Sequence, residues 1–218
     1  MVFHSDKHHR RSIRLQGYDY SQAGAYFVTV VTWDRACLFG DVVDGEMRLN
    51  DVGQMVAAAW DALSNRFPIV ALDAFAILPN HVHGIVVIAT NENTNDVGAG
   101  LVPAHDMTII GATEATGATT RVAPTVGDIV GAFKSLTTVH YTRGIKTYRW
   151  PPFLRHLWQR NYYEHIIRNE ESLNRIREYI VNNPIQWDLD RENPVGAIHE
   201  SPLQNGKSPS QNEEPWRI

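Results

Sequence analysis

Apolar runs of two kinds alternate along the chain. The first, Ala25 to Trp33 (AYFVTVVTW), is rich in aromatic and β-branched residues and predicts a buried strand. Leu38 to Leu49 carries short apolar stretches around Asp44-Gly45, a dipeptide suited to a tight hairpin turn. From Val52 to Asn65 the period changes. Met55, Ala59 and Leu63 recur at helical spacing, and Asn50 or Asp51 stands where an N-cap belongs. Two nearly continuous apolar runs follow, near Val70 to Leu78 and Val82 to Ala89, separated by Pro79-Asn80; both predict central strands. Thr125 to about Tyr141 sets Ile129, Phe133, Leu136 and His140 along one helical side. Trp150 to Phe153 reads as a Pro-containing turn. Leu157 to Ile167 (LWQRNYYEHII) reads as a strand, and Glu170 to Asn182 as a helix stopped by Pro184. The order β-β-α-β-β, then α-β-α, predicts an α+β fold with helices packed on an antiparallel sheet.

Polar stretches divide the chain. Residues 1–20 form a basic N-terminal arm, 21–195 a single domain, and 196–218 a loose tail rich in Ser, Pro, Asn and Glu. Inside the domain, residues 91–124 are dominated by Asn, Thr, Gly and Ala and read as a loop insertion. At 218 residues one domain can bury a sizeable core without disulfide or metal staples. The single cysteine, Cys37, excludes an intramolecular disulfide framework and a Cys-rich zinc site. No apolar run is long enough to span a bilayer, and the polar N-terminus lacks the apolar core of a secretory signal. The expected location is therefore cytoplasmic, with no membrane partner. The net charge of −4 argues mildly against nucleic acid, but basic residues gather between Lys7 and Arg14 and between Lys134 and Arg168.

Three constellations could carry chemistry. In Pro79-Asn80-His81-Val82-His83, residues two apart on a strand share a face, so His81 and His83 would offer two imidazoles side by side, as a divalent metal needs. The same pair would also suit two histidines satisfied by hydrogen bonds at a strand start. In Tyr179-Ile-Val-Asn-Asn183-Pro184, Tyr179 and Asn183 stand one helical turn apart and would present a phenol and an amide together. Taken alone, core packing for Tyr179 and a helix cap for Asn183 are the better explanations. The stretch from Leu157 to Arg168 would set Trp158, Arg160, Tyr162 and Glu164 on one face, where aromatics and Arg could grip single-stranded nucleic acid; a half-buried strand with a salt-bridged edge is the competing reading.

Taken together, GYDYSQAGAYFVTVVTW, LFGDVVDGEMRLNDVG, ILPNHVHGIVVI, GDIVGAFKS and LWQRNYYEHIIRNEESLNRIREYIVNNP resemble the REP-associated tyrosine transposases, single-tyrosine members of the HUH nuclease superfamily related to insertion-sequence transposases. The resemblance covers nearly the whole chain; the stretch at 91–124 departs from it. It implies a ferredoxin-like or RNA-recognition-like antiparallel sheet carrying His81 and His83 as metal ligands. It implies Tyr179 as the nucleophile, Asn183 as the residue completing metal coordination, and Mg²⁺ or Mn²⁺ as the cofactor. The implied activity is cleavage and rejoining of single-stranded DNA at hairpin-forming palindromic repeats, through a 5′-phosphotyrosine intermediate. Tyr162 and Tyr163 are rivals for the nucleophile, but lack an amide one helical turn away. Arg10, Arg11 and Arg14 are candidates to grip a hairpin foot, and Lys134, Arg155 and Arg160 to line the DNA strand path. Two alternatives stand beside this reading: a domesticated protein that binds structured nucleic acid without cutting, and a small-substrate metallohydrolase, which would want more carboxylates. A monomer and a homodimer are both compatible with the sequence.

Overall fold

The computed structural model describes residue 15, residues 17–89 and residues 123–194. Arg10, Arg11 and Arg14 lie outside those residues, as do the tail at 196–218 and most of the arm at 1–20 and the insertion at 91–124.

Strand β1 (Gly24–Val31) is the run of aromatic and β-branched residues expected to be buried, and six of its eight residues are. A hairpin follows, β2 (Gly40–Val43) and β3 (Glu46–Leu49). Its turn residues Asp44 (φ 55°) and Gly45 (φ 78°) are both left-handed, the combination that a two-residue turn between right-twisted strands requires. Helix α1 (Asp51–Asp61) starts at Asn50, whose side chain accepts the Gly53 N–H at 2.9 Å. The predicted helix over 52–65 is interrupted at Ala62 and resumes as a single turn, α2 (Leu63–Arg66). Next come β4 (Val70–Leu78), β5 (His81–Ile88) and α3 (Val126–Tyr148), which starts at a capping box between Thr125 and Asp128. α3 runs seven residues past the expected end, to a left-handed cap at Arg149, because the Trp150 ring packs on Gly144, where a Cβ would sit 2.1 Å from it. β6 (Tyr163–Ile167) and α4 (Glu170–Asn182) complete the fold.

The main sheet has the order β4-β5-β1-β6, and every neighbouring pair is antiparallel. Counted among these four strands alone, the order is second, third, first, fourth. This is the ferredoxin-like, RNA-recognition-like arrangement. Alternation divides each strand between two faces. Tyr26, Val28, Val30, Val82 and Val86 join Trp60 of α1 and Phe133 of α3 in the larger core. Ala25, Phe27, Ile85 and Ile167 join Leu173, Ile176 and Ile180 of α4 in the smaller one. Among the described α-helices, only the one that carries Tyr179 therefore packs on the face to which His81 and His83 belong.

One expected strand is shorter than its pattern. Of Leu157–Ile167 only residues 163–167 form a continuous ladder with β1; before them Trp158 makes an isolated bridge to Thr32, and Gln159 N–H donates to the Val31 carbonyl at 2.9 Å. The Lys134 amine collects the carbonyls of Gln159 (2.9 Å), Arg160 (3.4 Å) and Asn161 (3.0 Å). Three successive carbonyls aimed at one cation cannot also alternate along a ladder. Trp158 and Glu164 are buried while Arg160 is exposed, so the single face expected for them is not formed.

Candidate functional site

β5 opens with the two histidines, His81 opposite Val31 and His83 opposite Thr29. Their side chains are 0% and 3% exposed, and their Nε2 atoms face each other at 3.0 Å. The outer nitrogens are held. His81 Nδ1 lies 2.8 Å from Asn80 Oδ1, and His83 Nδ1 2.8 Å from Thr29 Oγ1. Asn80 has no freedom to flip, because its Nδ2 donates to the carbonyls of Arg35 (3.1 Å) and Glu192 (2.6 Å). Its Oδ1 is therefore an acceptor, and His81 carries its hydrogen on Nδ1. That leaves a lone pair on His81 Nε2, pointing at His83. Two lone pairs at 3.0 Å would repel, so either a proton or a cation belongs between the rings. The Thr29 hydroxyl serves both states, since it can donate to or accept from His83 Nδ1.

Burial keeps these rings neutral. It pulls the His81 pKa down to about 4, against a smaller opposing pull from the Glu192 carboxylate. His83 is lowered as well, by burial first and by His81 second. Neutral imidazole is the ligand-competent form. The next residue, Gly84, serves the opposite face. A Cβ there would lie 2.3 Å from the Trp60 indole, which is stacked on Phe75 at a centroid separation of 4.5 Å.

α4 brings the second half of the site. Its N-terminus is capped by Asn169, and Leu173, Ile176 and Ile180 seat it on the sheet. Tyr179 leans over His83: its hydroxyl is 3.5 Å from Nε2, and its ring meets those of His83 and Phe27 edge-on at 5.2 and 6.2 Å. One turn on, Asn183 is 2% exposed, and its Oδ1 is buried without a hydrogen-bond partner. Pro184 then starts a 3₁₀ turn, Pro184–Leu189, at a position where its missing N–H costs nothing. This turn delivers Asp190 beside the Asn183 side chain and sets Oδ2 3.8 Å from His81 Nε2. Burial raises the Asp190 pKa above the usual carboxylate range. Ligand-capable atoms of His81, His83 and Asp190 all lie within 4.8 Å of one another. Sequence reasoning missed Asp190 because it falls after the helix, where no periodicity marks it. It missed Thr29 and Asn80 as ring partners because only the register of β1 and β5 reveals them.

α4 is also tied to the sheet edge. On β4 the register shifts between Leu72, opposite Val86, and Phe75, opposite Gly84, so that Asp73 and Ala74 together stand against Ile85. Asp73 accepts a two-pronged bond from Arg177, Nε at 2.8 Å and the terminal nitrogen at 2.5 Å. Arg177 lies two residues before Tyr179.

The remaining expected residues are elsewhere. The ring of Tyr162 lies under the Lys134 amine, 5.6 Å from its centroid, and Tyr163 packs edge-on against Phe27 at 6.3 Å. Arg155 and Arg160 are exposed and line a cleft with Lys134 beside α3, on the larger-core side of the sheet. Burial draws the Lys134 pKa down to about 8.

The donor set fits a divalent cation. Two neutral imidazole nitrogens, a buried carboxylate and a buried amide oxygen without a partner offer the mixed nitrogen and oxygen ligation that Mn²⁺ and Mg²⁺ accept.

A curated protein of Haemophilus influenzae (strain KW20), itself uncharacterised, is 40% identical over 184 residues, which is 84% of this chain and 93% of that protein. This chain belongs to the same family as that protein. No protein-family model matches it. Among solved structures, the chain is similar to a REP-associated tyrosine transposase bound to a REP hairpin, at 19% identity and a TM-score of 0.49, over 80% of this chain and 74% of the other. It is also similar to a crystal structure provisionally assigned as a transposase of Deinococcus radiodurans R1, at 17% identity and a TM-score of 0.37, over 78% and 95% of the two chains. Both likenesses are distant, so the chemistry has to be read from the site's own atoms. No helix among the described residues is long and apolar enough to cross a membrane.

Proposed function

We propose that the chain is a metal-dependent transposase and endonuclease of single-stranded DNA, cleaving and rejoining strands at hairpin-forming repeats through Tyr179. One observation carries the reading: the Tyr179 hydroxyl is 3.5 Å from the Nε2 atom of a histidine pair whose own nitrogens are 3.0 Å apart. A phenol and a pair of ligand-competent imidazoles converge on one point, an arrangement that suits metal-assisted phosphoryl transfer to tyrosine. The quoted sequence motifs point to the same chemistry.

In this reading Tyr179 Oη attacks the scissile phosphorus. A Tyr O–P bond forms, the P–O3′ bond breaks, the phenol proton passes to solvent at the half-exposed rim, and the departing 3′ oxygen takes up a proton. The product is a 5′-phosphotyrosine and a free 3′-OH, and the reverse step with another 3′-OH rejoins strands without a nucleotide cofactor. The residues that would hold Mg²⁺ or Mn²⁺ are His81, His83 and, as oxygen donors, Asp190 and Asn183. Such an ion supplies polarisation of the phosphate and offsets the charge that develops on it. Phe27 and His83 fix the tyrosine ring edge-on, and Asn80 and Thr29 fix the imidazoles.

The test incubates the protein with labelled single-stranded hairpin DNA and Mn²⁺ and looks for a denaturation-resistant protein–DNA band. The band is expected with the native chain and absent with Tyr179→Phe, which should still bind the hairpin. A band that survives Tyr179→Phe overturns the assignment of the nucleophile. Hairpin binding by the native chain with no band would favour the binding-only alternative.

A further inference from the structure

On the other side of the sheet end from Tyr179 lies an open cleft of about 790 Å³. Its wall carries Trp33, Phe153, Arg155, His156 and Arg160. The chain has 24 acidic and 20 basic residues, yet no Asp or Glu is among the residues lining this cleft. The cleft therefore offers aromatic surface and positive charge together, the pairing that suits stacked bases on a phosphate backbone.

Lys134 also lines the cleft but has a different task. Its amine is committed to the carbonyls of Gln159, Arg160 and Asn161, so it clamps the wall that presents Arg160 and leaves phosphate contacts to the exposed arginines. The cleft is joined to the histidine pair through the backbone. Val31 is the partner of His81 in the sheet, and Trp33 follows two residues later, about 7 Å further along the strand direction. The Trp33 N–H donates to the Leu157 carbonyl at 2.9 Å, which fixes the lip of the cleft to the end of β1. The Trp33 ring meets His156 edge-on at 5.3 Å. After Trp33, Asp34 and Arg35 are both left-handed, at φ 56° and 52°. Non-glycine residues adopt that conformation at a cost, so the turn is held from outside. Its holders belong to the histidine site: Asn80 donates to the Arg35 carbonyl, and Glu192 pairs with the Arg35 guanidinium at 2.7 Å.

We infer that this cleft receives the unpaired DNA next to the scissile phosphate, with Trp33 as a stacking platform and Arg155 and Arg160 as phosphate contacts. The inference rests on the proposed function for the identity of the strand. Trp33 stands two residues beyond the sheet partner of His81, which places the stacking platform at the β1–β5 end where the histidine pair lies. Base-face stacking and phosphate contacts make the cleft tolerant of sequence, so any sequence preference has to be read elsewhere.

The test uses the full chain and two oligonucleotides, one hairpin with a single-stranded flank and the same hairpin without it, with affinities read by fluorescence anisotropy. Trp33→Ala should weaken binding of the flanked hairpin by roughly 10- to 100-fold, toward that of the blunt one. Trp33→Phe keeps an aromatic face and should retain most of the affinity, which keeps the test valid if the alanine variant folds poorly. Arg155→Gln with Arg160→Gln should lower the salt slope of flanked-hairpin binding by about 1.4, two single-strand phosphates at roughly 0.7 each. Neither change should alter blunt-hairpin binding. Equal losses on both oligonucleotides, or no loss on either, overturn the inference. Covalent adduct formation by the native chain is scored separately. Adducts together with unaltered flank binding in the variants reject the cleft but leave Tyr179 chemistry intact; a flank effect without adducts rejects the chemistry and keeps the cleft.

Discussion

Asn80 touches no substrate in the proposed reaction, yet it should control metal affinity, and two substitutions separate its two tasks. Its Oδ1 accepts from His81 Nδ1 at 2.8 Å, and its Nδ2 ties the Arg35 and Glu192 carbonyls. Asn80→Ala removes both. The His81 ring is then free to take the other tautomer, which places a hydrogen on Nε2 where a lone pair is needed. Loss of such an outer partner typically weakens metal binding by about 10- to 100-fold, or roughly 1.4 to 2.7 kcal/mol. The alanine also strands a buried ring N–H and two carbonyls, at roughly 1–3 kcal/mol for each buried group left without a partner, so the fold should soften too. Asn80→Asp keeps the acceptor for His81 Nδ1, loses the donors to Arg35 and Glu192, and sets a buried negative charge against those two carbonyls. It should therefore bind Mn²⁺ closer to the native level while sharing the loss of stability. Titration calorimetry with Mn²⁺, run well below the melting temperature of each variant, measures the affinity; thermal unfolding measures the stability. Native-like Mn²⁺ affinity in Asn80→Ala would refute the claim that this amide sets the imidazole tautomer. Equal loss in both variants would refute the division of labour.

Arg177→Gln should destabilise the chain by about 2 kcal/mol. That is below the range for a fully buried pair, because the Arg177 side chain is 33% exposed while Asp73 is 7% exposed. The loss should appear in chemical denaturation and as faster amide exchange in α4; unaltered α4 protection would count against the Arg177–Asp73 tie. The Arg177 guanidinium holds the Asp73 carboxyl below its usual pKa, so the stability it supplies is present above about pH 4 and fades as pH falls through the lowered value. Gly84→Ala drives a methyl group into the Trp60 ring and should cost about 1–3 kcal/mol, a fall of roughly 2–12 °C in melting temperature; a native melting point would show that Trp60 has room to move. The metal-free protein should lose stability as pH falls from about 6.5 toward 4. Across that window the unfolded chain takes up a proton at His81 that the folded one refuses, so unfolding binds protons and stability rises with pH. The full contribution is roughly 3 kcal/mol, and urea titrations at pH 7 and pH 4.5 that give equal midpoints would contradict it.

The pairs that local periodicity can place were legible in the sequence. His81 and His83 share a face because strands repeat every two residues, and Tyr179 and Asn183 share one because helices nearly repeat every four. β4 runs over the residues expected, Val70–Leu78, and α4 over Glu170–Asn182. What brings the two pairs together is non-local, and no window of sequence contains it. The antiparallel register of β1 on β5 puts Thr29 behind His83. A Pro-initiated turn after α4 carries Asp190 back toward His81. The stretch before β6 misled for a related reason. Leu157 to Asn161 has the composition of a strand, but the Lys134 amine, 25 residues or more away in sequence, takes the carbonyls of Gln159 to Asn161. A half-buried cation with three acceptors outcompetes an alternating pattern, and hydrophobicity plots do not register it.

The division of the sheet into two faces explains why the chemistry sits where it does. The α1 and α3 face is packed by large rings, Trp60 on Phe75 with the edge of Phe133 against it, and a strand glycine is needed to fit them. A core built that tightly leaves no room between helix and sheet for a second set of reacting side chains. On the other face α4 is seated by three buried aliphatic side chains, Leu173, Ile176 and Ile180. That is a modest apolar contact for a thirteen-residue helix, and a helix held by burial alone would be free to slide along the sheet. Slippage of one helical residue, about 1.5 Å, would be enough to spoil a phenol set 3.5 Å from an imidazole nitrogen. The contacts that oppose it are polar and directional. Arg177 grips Asp73 at the bulge on β4, and Asn183 meets Asp190 just beyond the helix end. The tyrosine lies two residues beyond the Arg177 anchor, so its position over the histidines is set by a bond with defined angles on that side and by the neighbouring Asn183 and Asp190 side chains on the other, while the apolar contact supplies adhesion without register. The reaction proposed for Tyr179 would gain from that arrangement, because the precision it needs comes from polar groups that tolerate water nearby.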